Sequence, residues 1–127
     1  MQKKIIKTEN SPQAIGAYSQ AVMVDNTVYV SGQIPLVPKT MQVVEGGFAE
    51  QAEQVFLNLK AVAEAANSRL ADAVKLTVYL TDLDDFAELN QIMAKHFSEP
   101  FPARAAVQVA ALPKGVSIEI DAILCVT

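Results

Sequence analysis

Two charged residues stand within apolar segments near the end of the chain. Arg104 lies in the segment Ala-Arg-Ala-Ala-Val at 103–107, and Glu119 lies between two isoleucines. A guanidinium keeps its charge in proteins, so within an apolar segment it requires an anionic partner. Its planar fork of donors suits a carboxylate, which can accept two parallel hydrogen bonds. The sequence therefore predicts either an ion pair of Arg104 with Glu119 or Asp121, or a site for the carboxylate of a small ligand.

Glu119 is a candidate for proton transfer. Partial burial would raise the pKa of its carboxyl group toward neutrality, where such a group serves best as proton donor and acceptor. The alternatives are an ion pair with Arg104 or a charge on the rim of a sheet. Around Arg104, the small residues Ala106 and Ala110 share its predicted strand face and leave space beside the guanidinium.

Four further residues are weaker candidates for a binding site. Tyr18 places a phenol at the start of a predicted strand, where packing is the alternative role. Ser31 and Gly32 offer backbone donors and a close approach at a predicted strand end. Asn90 falls in a predicted helix, where ordinary exposure to solvent is the alternative.

Metal and cofactor motifs are missing from the sequence. The chain has one histidine, His96, and one cysteine, Cys125, at unrelated positions, and both are expected to be structural. No glycine-rich phosphate loop is present. We therefore expect no metal and no cofactor, and any chemistry must come from carboxylate, guanidinium, phenol, backbone and water.

Charge and hydropathy narrow the range of partners. The net charge of −4 argues against nucleic acid, because no basic face is available to neutralise phosphates. No apolar run reaches the roughly 18 residues that a membrane helix requires, so no membrane partner is expected. The N-terminus lacks the apolar core of a signal peptide, and a lone cysteine cannot form an internal disulfide. The expected location is cytoplasmic.

The periodicity of apolar residues predicts one α+β domain spanning residues 1–127. Helical spacing is strongest over 48–66 and recurs over 84–97. The expected strands are 4–8, 18–25, 28–30, 73–81, 103–111 and 116–126. This order predicts a mixed sheet with two helices covering one face. Because 51% of the residues are hydrophobic and only 19% are charged, we expect part of the apolar surface to be buried between subunits.

Taken together, these segments resemble the RidA (YjgF) family of reactive-intermediate enamine/imine deaminases. The matching segments are AIGAYSQA at 14–21, VSGQIP at 30–35, QAEQVFLNL at 51–59, VKLTVYL at 74–80, DLDDF at 82–86 with Asn90, FPAR at 101–104, LPK at 112–114 and IEI at 118–120. The resemblance covers nearly the whole chain in order.

The resemblance implies a chorismate-mutase-like fold and a homotrimer whose sheets pack into a central barrel. It also implies three active sites in the clefts between subunits. Arg104 would bind the substrate carboxylate, and Glu119 would handle the proton of the attacking water. Tyr18 would border the pocket from a neighbouring chain, with Ser31, Gly32, Asn90 and Ala106 shaping it. Ala106 stands where many relatives carry a cysteine, so hydrolysis is not expected to depend on a thiol.

The implied function is hydrolysis of 2-iminobutanoate, 2-iminopropanoate and their enamine tautomers to 2-keto acids and ammonia. A non-catalytic regulatory module that binds small carboxylates or keto acids is the alternative. An endoribonuclease or translation inhibitor is a further possibility that the acidic net charge disfavours.

Overall fold

The structure is a computed structural model that describes residues 2–126. Its strands are β1 Lys3–Ile6, β2 Ala21–Val24, β3 Thr27–Gln33, β4 Leu36–Val37, β5 Gln42–Val43, β6 Ala73–Leu80, β7 Ala103–Gln108 and β8 Ile118–Cys125. Its helices are α1 Phe48–Ala65 and α2 Phe86–His96, and short 3₁₀ turns occupy Leu70–Asp72, Leu83–Asp85 and Pro113–Gly115.

Six strands form one mixed sheet in the order β1-β2-β3-β8-β6-β7, while β4 and β5 pair separately. β6 and β7 are parallel and are connected through α2, as a parallel pair requires. The other neighbours in the sheet are antiparallel. α1 packs on β3 and β8 and also contacts α2. The predicted α+β class, with two helices on one face of a mixed sheet, is confirmed.

The core lies between α1 and the sheet because α1 carries one continuous apolar stripe. The buried apolar residues of α1 are Ala52, Val55, Phe56, Leu59, Val62 and Ala63. Alternate residues of β6 and β8 face this stripe, including Leu76, Val78, Ile118 and Ile120. In the described range 2–126, neither helix has the length and unbroken apolar character needed to cross a bilayer.

Three local predictions require correction. Pro35 and Pro38 predict a loop after β3, whereas the structure forms the β4–β5 ribbon there. Tyr18 lies in the loop before β2, because the buried Gln20 side chain bonds to the backbone of Thr8 and Pro12 and holds the segment out of the sheet. Regular alternation over 73–81 predicts Val74 on the core face together with Leu76 and Val78, but an irregularity in the β6–β8 pairing leaves Val74 49% exposed.

Asn58 is a buried polar residue on the core side of α1. It is 1% exposed, and its amide nitrogen donates to the carbonyl oxygens of Ile34 at 3.2 Å and Leu36 at 3.0 Å. Its own carbonyl oxygen accepts a bond from Gln54. The side chain therefore anchors the segment after β3 to the first helix.

Replacing Asn58 with alanine should lower the free energy of unfolding by about 1–3 kcal/mol, because the carbonyl groups of Ile34 and Leu36 each lose one donor in a buried position. Urea denaturation of the variant and the parent protein measures this difference. Glu64→Ala, an exposed change on the same helix, is the control and should stay within about 0.5 kcal/mol of the parent. Equal stability of the two variants would remove the anchoring role of Asn58.

Candidate functional site

Arg104 lies on β7, which is one of the two edge strands of the six-stranded sheet. It was expected inside an apolar wall, but the side chain is exposed, because within residues 2–126 no strand pairs with the outer side of β7. Arg104 pairs with Leu76 in the β6–β7 register, so it faces the side of the sheet that carries the helices. Ala106 follows on the same face, opposite Val78, and is only partly exposed.

The guanidinium of Arg104 is held by three uncharged groups of α2. Its Nη1 donates to Oδ1 of Asn90 at 2.6 Å and lies 3.7 Å from Sδ of Met93. Its central carbon lies 4.9 Å from the centre of the Phe86 ring, a cation–π geometry. None of the carboxylates within residues 2–126 lies within 4.0 Å of it. The predicted alternative, an ion pair with Glu119 or Asp121, is therefore wrong for the described chain.

An open hollow lies beside the guanidinium. It measures about 350 Å³ and is lined by Asn90, Met93, Ala94, Phe101, Pro102 and Arg104, which we call the arginine half-site. The hollow has apolar walls and one uncompensated positive charge. Such a site can bind a small anion with a short apolar substituent.

Glu119 lies on the opposite face of the same sheet. It pairs with Tyr79 across β6 and β8, and its neighbours Ile118 and Ile120 point into the core. Burial raises the pKa of the half-buried Glu119 carboxyl group, and the negative charge of Asp121 raises it further. The predicted shift toward neutrality is thus supported in direction, and its physical causes are identified.

Gly32 allows the carboxylate of Glu119 to approach the backbone of β3. A Cβ atom at position 32 would lie 2.9 Å from Cδ of Glu119 and closer still to Oε2. The pairing of β3 with β8 is irregular between Val30 and Gln33, which places Gly32 within this irregular segment. Glycine is needed here for the close approach of a carboxylate, since any side chain would displace it.

A second hollow, of about 340 Å³, opens beside Glu119. Its lining includes Tyr18, Gly32, Ile34, Pro113, Lys114 and Glu119, which we call the glutamate half-site. Tyr18 is 52% exposed, so its phenol is available to a ligand or to another chain.

Ser31 plays a structural part in this arrangement. Its hydroxyl donates to the carbonyl oxygen of Ser19 at 2.6 Å, and its backbone nitrogen donates to the carbonyl oxygen of Gln20 at 2.9 Å. These bonds fix the loop that carries Tyr18. Two buried amides, Gln20 and Gln33, complete the support, and sequence reasoning gave neither a role because a glutamine usually lies at the surface.

The two half-sites share no residue and lie on opposite faces of the sheet. The structure therefore brings Arg104 together with Asn90, and Glu119 together with Gly32 and Tyr18. It does not bring Arg104 to Glu119 within one chain. The guanidinium and the carboxyl group singled out from the sequence therefore lie beside separate hollows.

His96 and Cys125 lie outside both half-sites. His96 stacks on Phe56, and its Nε2 lies 2.9 Å from Oε1 of Glu53, which is a structural arrangement. Cys125 is exposed at the end of β8, so it is not a core residue of the isolated chain. Over the range 2–126, no group of three or more histidine, cysteine or acidic side chains is arranged to hold a metal ion.

Comparison with known proteins gives consistent matches over almost the full length. A family model described as Endoribonuclease L-PSP matches residues 8–126. A Rattus norvegicus protein named 2-iminobutanoate/2-iminopropanoate deaminase is 53% identical over 121 residues, covering 95% of this chain and 88% of that protein.

Solved structures agree with this result. RidA from an Antarctic Psychrobacter species superposes with a TM-score of 0.94 at 58% identity, covering 97% of this chain and 99% of that one. E. coli TdcF with bound serine superposes with a TM-score of 0.91 at 40% identity, covering 98% and 99%. In sequence and in fold, this chain belongs to the RidA (YjgF) family.

Proposed function

We propose that this protein hydrolyses 2-imino acids and their 2-enamine tautomers to 2-keto acids and ammonia, with 2-iminobutanoate and 2-iminopropanoate as substrates and no cofactor. The observation that carries the proposal is an uncompensated guanidinium in one half-site and a carboxyl group of raised pKa in the other. The name of the rat relative supports the reaction. The serine bound to TdcF supports the substrate class, since serine carries a carboxylate and a short side chain.

In the proposed reaction, Arg104 binds the substrate carboxylate through two parallel hydrogen bonds and so fixes the C=N carbon. The imine binds in its protonated, iminium form. Glu119 accepts a proton from a water molecule as its oxygen attacks that carbon, and the C=N electron pair moves to nitrogen to give a neutral carbinolamine. Glu119 then returns its proton to the amino nitrogen. The Glu119 carboxylate takes the hydroxyl proton as the C–N bond breaks and ammonia leaves, and it then loses this proton to solvent. The 2-keto acid remains bound to Arg104 until release.

We further propose that the site is completed between copies of the chain in a homotrimer. Because the two half-sites lie on opposite faces, a neighbouring copy can place its glutamate half-site, with Tyr18, against the arginine half-site. The open face of the sheet also exposes Tyr29 and Val107, which are 50% and 43% exposed in the isolated chain. Burial of this face against a second sheet supports the assembly.

Mixed assemblies test this arrangement. Arg104→Ala and Glu119→Gln chains are co-expressed with different tags, and trimers that carry both tags are isolated. Any such ring places an intact Arg104 of one chain beside an intact Glu119 of the other at about one site in three. Imine loss, measured with a dehydratase that releases the imine from serine or threonine, should therefore recover to about a third of the parent rate per trimer.

Homotrimers of each single variant are the controls, and both should be nearly inactive. If the mixed trimers were no faster than these homotrimers, the two residues would have to act within one chain, and the intersubunit site would be rejected.

Two other functions predict different results in binding and imine-loss measurements. A non-catalytic carboxylate-binding module would bind 2-ketobutyrate without accelerating imine loss. An endoribonuclease would bind RNA with strong salt dependence, which the net charge of −4 disfavours. We also propose a cytoplasmic location, which the single cysteine supports.

A further inference from the structure

A second polar group adjoins Glu119 on the open face of the sheet. Tyr79 lies directly opposite Glu119 in the β6–β8 register, and Thr77 lies opposite Asp121. The Tyr79 side chain crosses this register diagonally, and its Oη donates to Oδ2 of Asp121 at 3.0 Å. The phenol therefore holds the Asp121 carboxylate beside the carboxylate that the proposed reaction uses.

Asp121 is the negative charge on this face next to Glu119. The two residues are separated by one position on β8, so their side chains point the same way, and both are half-buried. The hydrogen bond from Tyr79 to Asp121 and partial burial raise the pKa of the phenol. The phenol thus stays protonated and remains a donor over the working range of the site.

The other groups that face Glu119 do not supply a second negative charge in place of Asp121. Val107 on β7 lies beyond Tyr79 and is uncharged, and Gly32 on β3 has no side chain. Lys114, in the 3₁₀ turn Pro113–Gly115, and the phenol of Tyr18, in the loop before β2, line the same hollow. Further along the face, Lys75 lies opposite Ile123 rather than opposite Glu119.

We propose that Asp121, held in place by Tyr79, is a positioning residue that keeps Glu119 able to take up and return a proton in the reaction. This inference rests on the function proposed above. The negative charge of Asp121 disfavours a second negative charge at Glu119, so a proton stays longer on Glu119 after water attack and can be passed to the leaving nitrogen.

Titration of the Glu119 carboxyl group by NMR tests the inference without relying on activity. The full-length protein is labelled with ¹³C at glutamate side chains, and Glu119→Gln identifies the signal. In Asp121→Asn, the midpoint of the Glu119 titration should move to lower pH, whereas Asp121→Glu should retain most of the parent behaviour. Tyr79→Phe should move it in the same direction by less, because the Asp121 carboxylate then turns toward solvent. Glu64→Gln, which removes an exposed charge on α1, is the control for net charge.

An unchanged Glu119 midpoint in Asp121→Asn would overturn the inference, and an unchanged midpoint in Tyr79→Phe would overturn the holding role of the phenol. In the imine-loss assay, the acid limb of kcat/KM for Asp121→Asn should move to lower pH together with the titration. A parent protein without imine hydrolysis would overturn the proposed function, whereas the titration decides separately whether Asp121 controls the protonation of Glu119.

Discussion

Replacing Arg104 with alanine is expected to lower kcat/KM for imine hydrolysis by about 100-fold or more. The variant loses two charge-assisted hydrogen bonds to the substrate carboxylate, each worth about 1.5–3 kcal/mol, and every 1.4 kcal/mol corresponds to a factor of about ten. Arg104→Lys should also lose about tenfold or more, because an ammonium group keeps the charge but cannot form the planar fork over Phe86.

The fold should tolerate both changes. Arg104 is exposed and has no carboxylate partner among the described residues, so the free energy of unfolding should change by less than about 1 kcal/mol. Arg69→Ala is the matched control, because Arg69 is also an exposed arginine and lies outside both half-sites. If Arg104→Ala kept the kcat/KM of the parent protein, Arg104 would not bind the substrate.

Replacing Glu119 with glutamine should lower kcat by roughly 10²–10⁴-fold, the usual contribution of one positioned acid or base. The same change should stabilise the protein at neutral pH. Folding raises the pKa of Glu119 through burial and the charge of Asp121, so the ionised carboxylate costs stability in the folded state. Glutamine has a similar shape and no charge to desolvate, so this cost disappears.

The sign of this effect sets its pH dependence. A carboxyl group whose folded pKa lies above its unfolded value destabilises the fold at every pH above the folded pKa, and the cost fades as pH falls through that value toward the unfolded pKa. The stability gain of Glu119→Gln should therefore be present at pH 7 and lost in acid. Urea unfolding at a series of pH values measures it, with Glu64→Gln as the control. A gain that is constant across pH would contradict the raised pKa.

Local patterns in the sequence predict much of this fold. The helical spacing over 48–66 corresponds to α1, which ends within one residue of the expected position. Alternation over 116–126 correctly separates the core face of β8 from the face of Glu119 and Asp121. These features depend on the helical period of 3.6 residues and the strand period of 2 residues, which neighbouring residues in the sequence reveal directly.

Features that depend on distant residues were not predictable in the same way. The exposure of Arg104 follows from the position of β7 at the edge of the sheet, and strand order is not encoded within the strand itself. The separation of Arg104 from Glu119 follows from the registers that β6 makes with β7 and with β8. The exposure of Val74 results from one irregular pairing, which a regular alternation cannot indicate.

Because the two half-sites lie on opposite faces of the sheet, the number of complete active sites depends on how many chains assemble and whether they form a closed ring. In the proposed arrangement, a single chain carries both half-sites but no complete site. Two chains in contact form one complete site and leave one arginine half-site and one glutamate half-site unmatched. A closed ring completes as many sites as it has members. The rate of hydrolysis would then depend on closure of the ring, and dilution that dissociates the ring would abolish activity without any inhibitor.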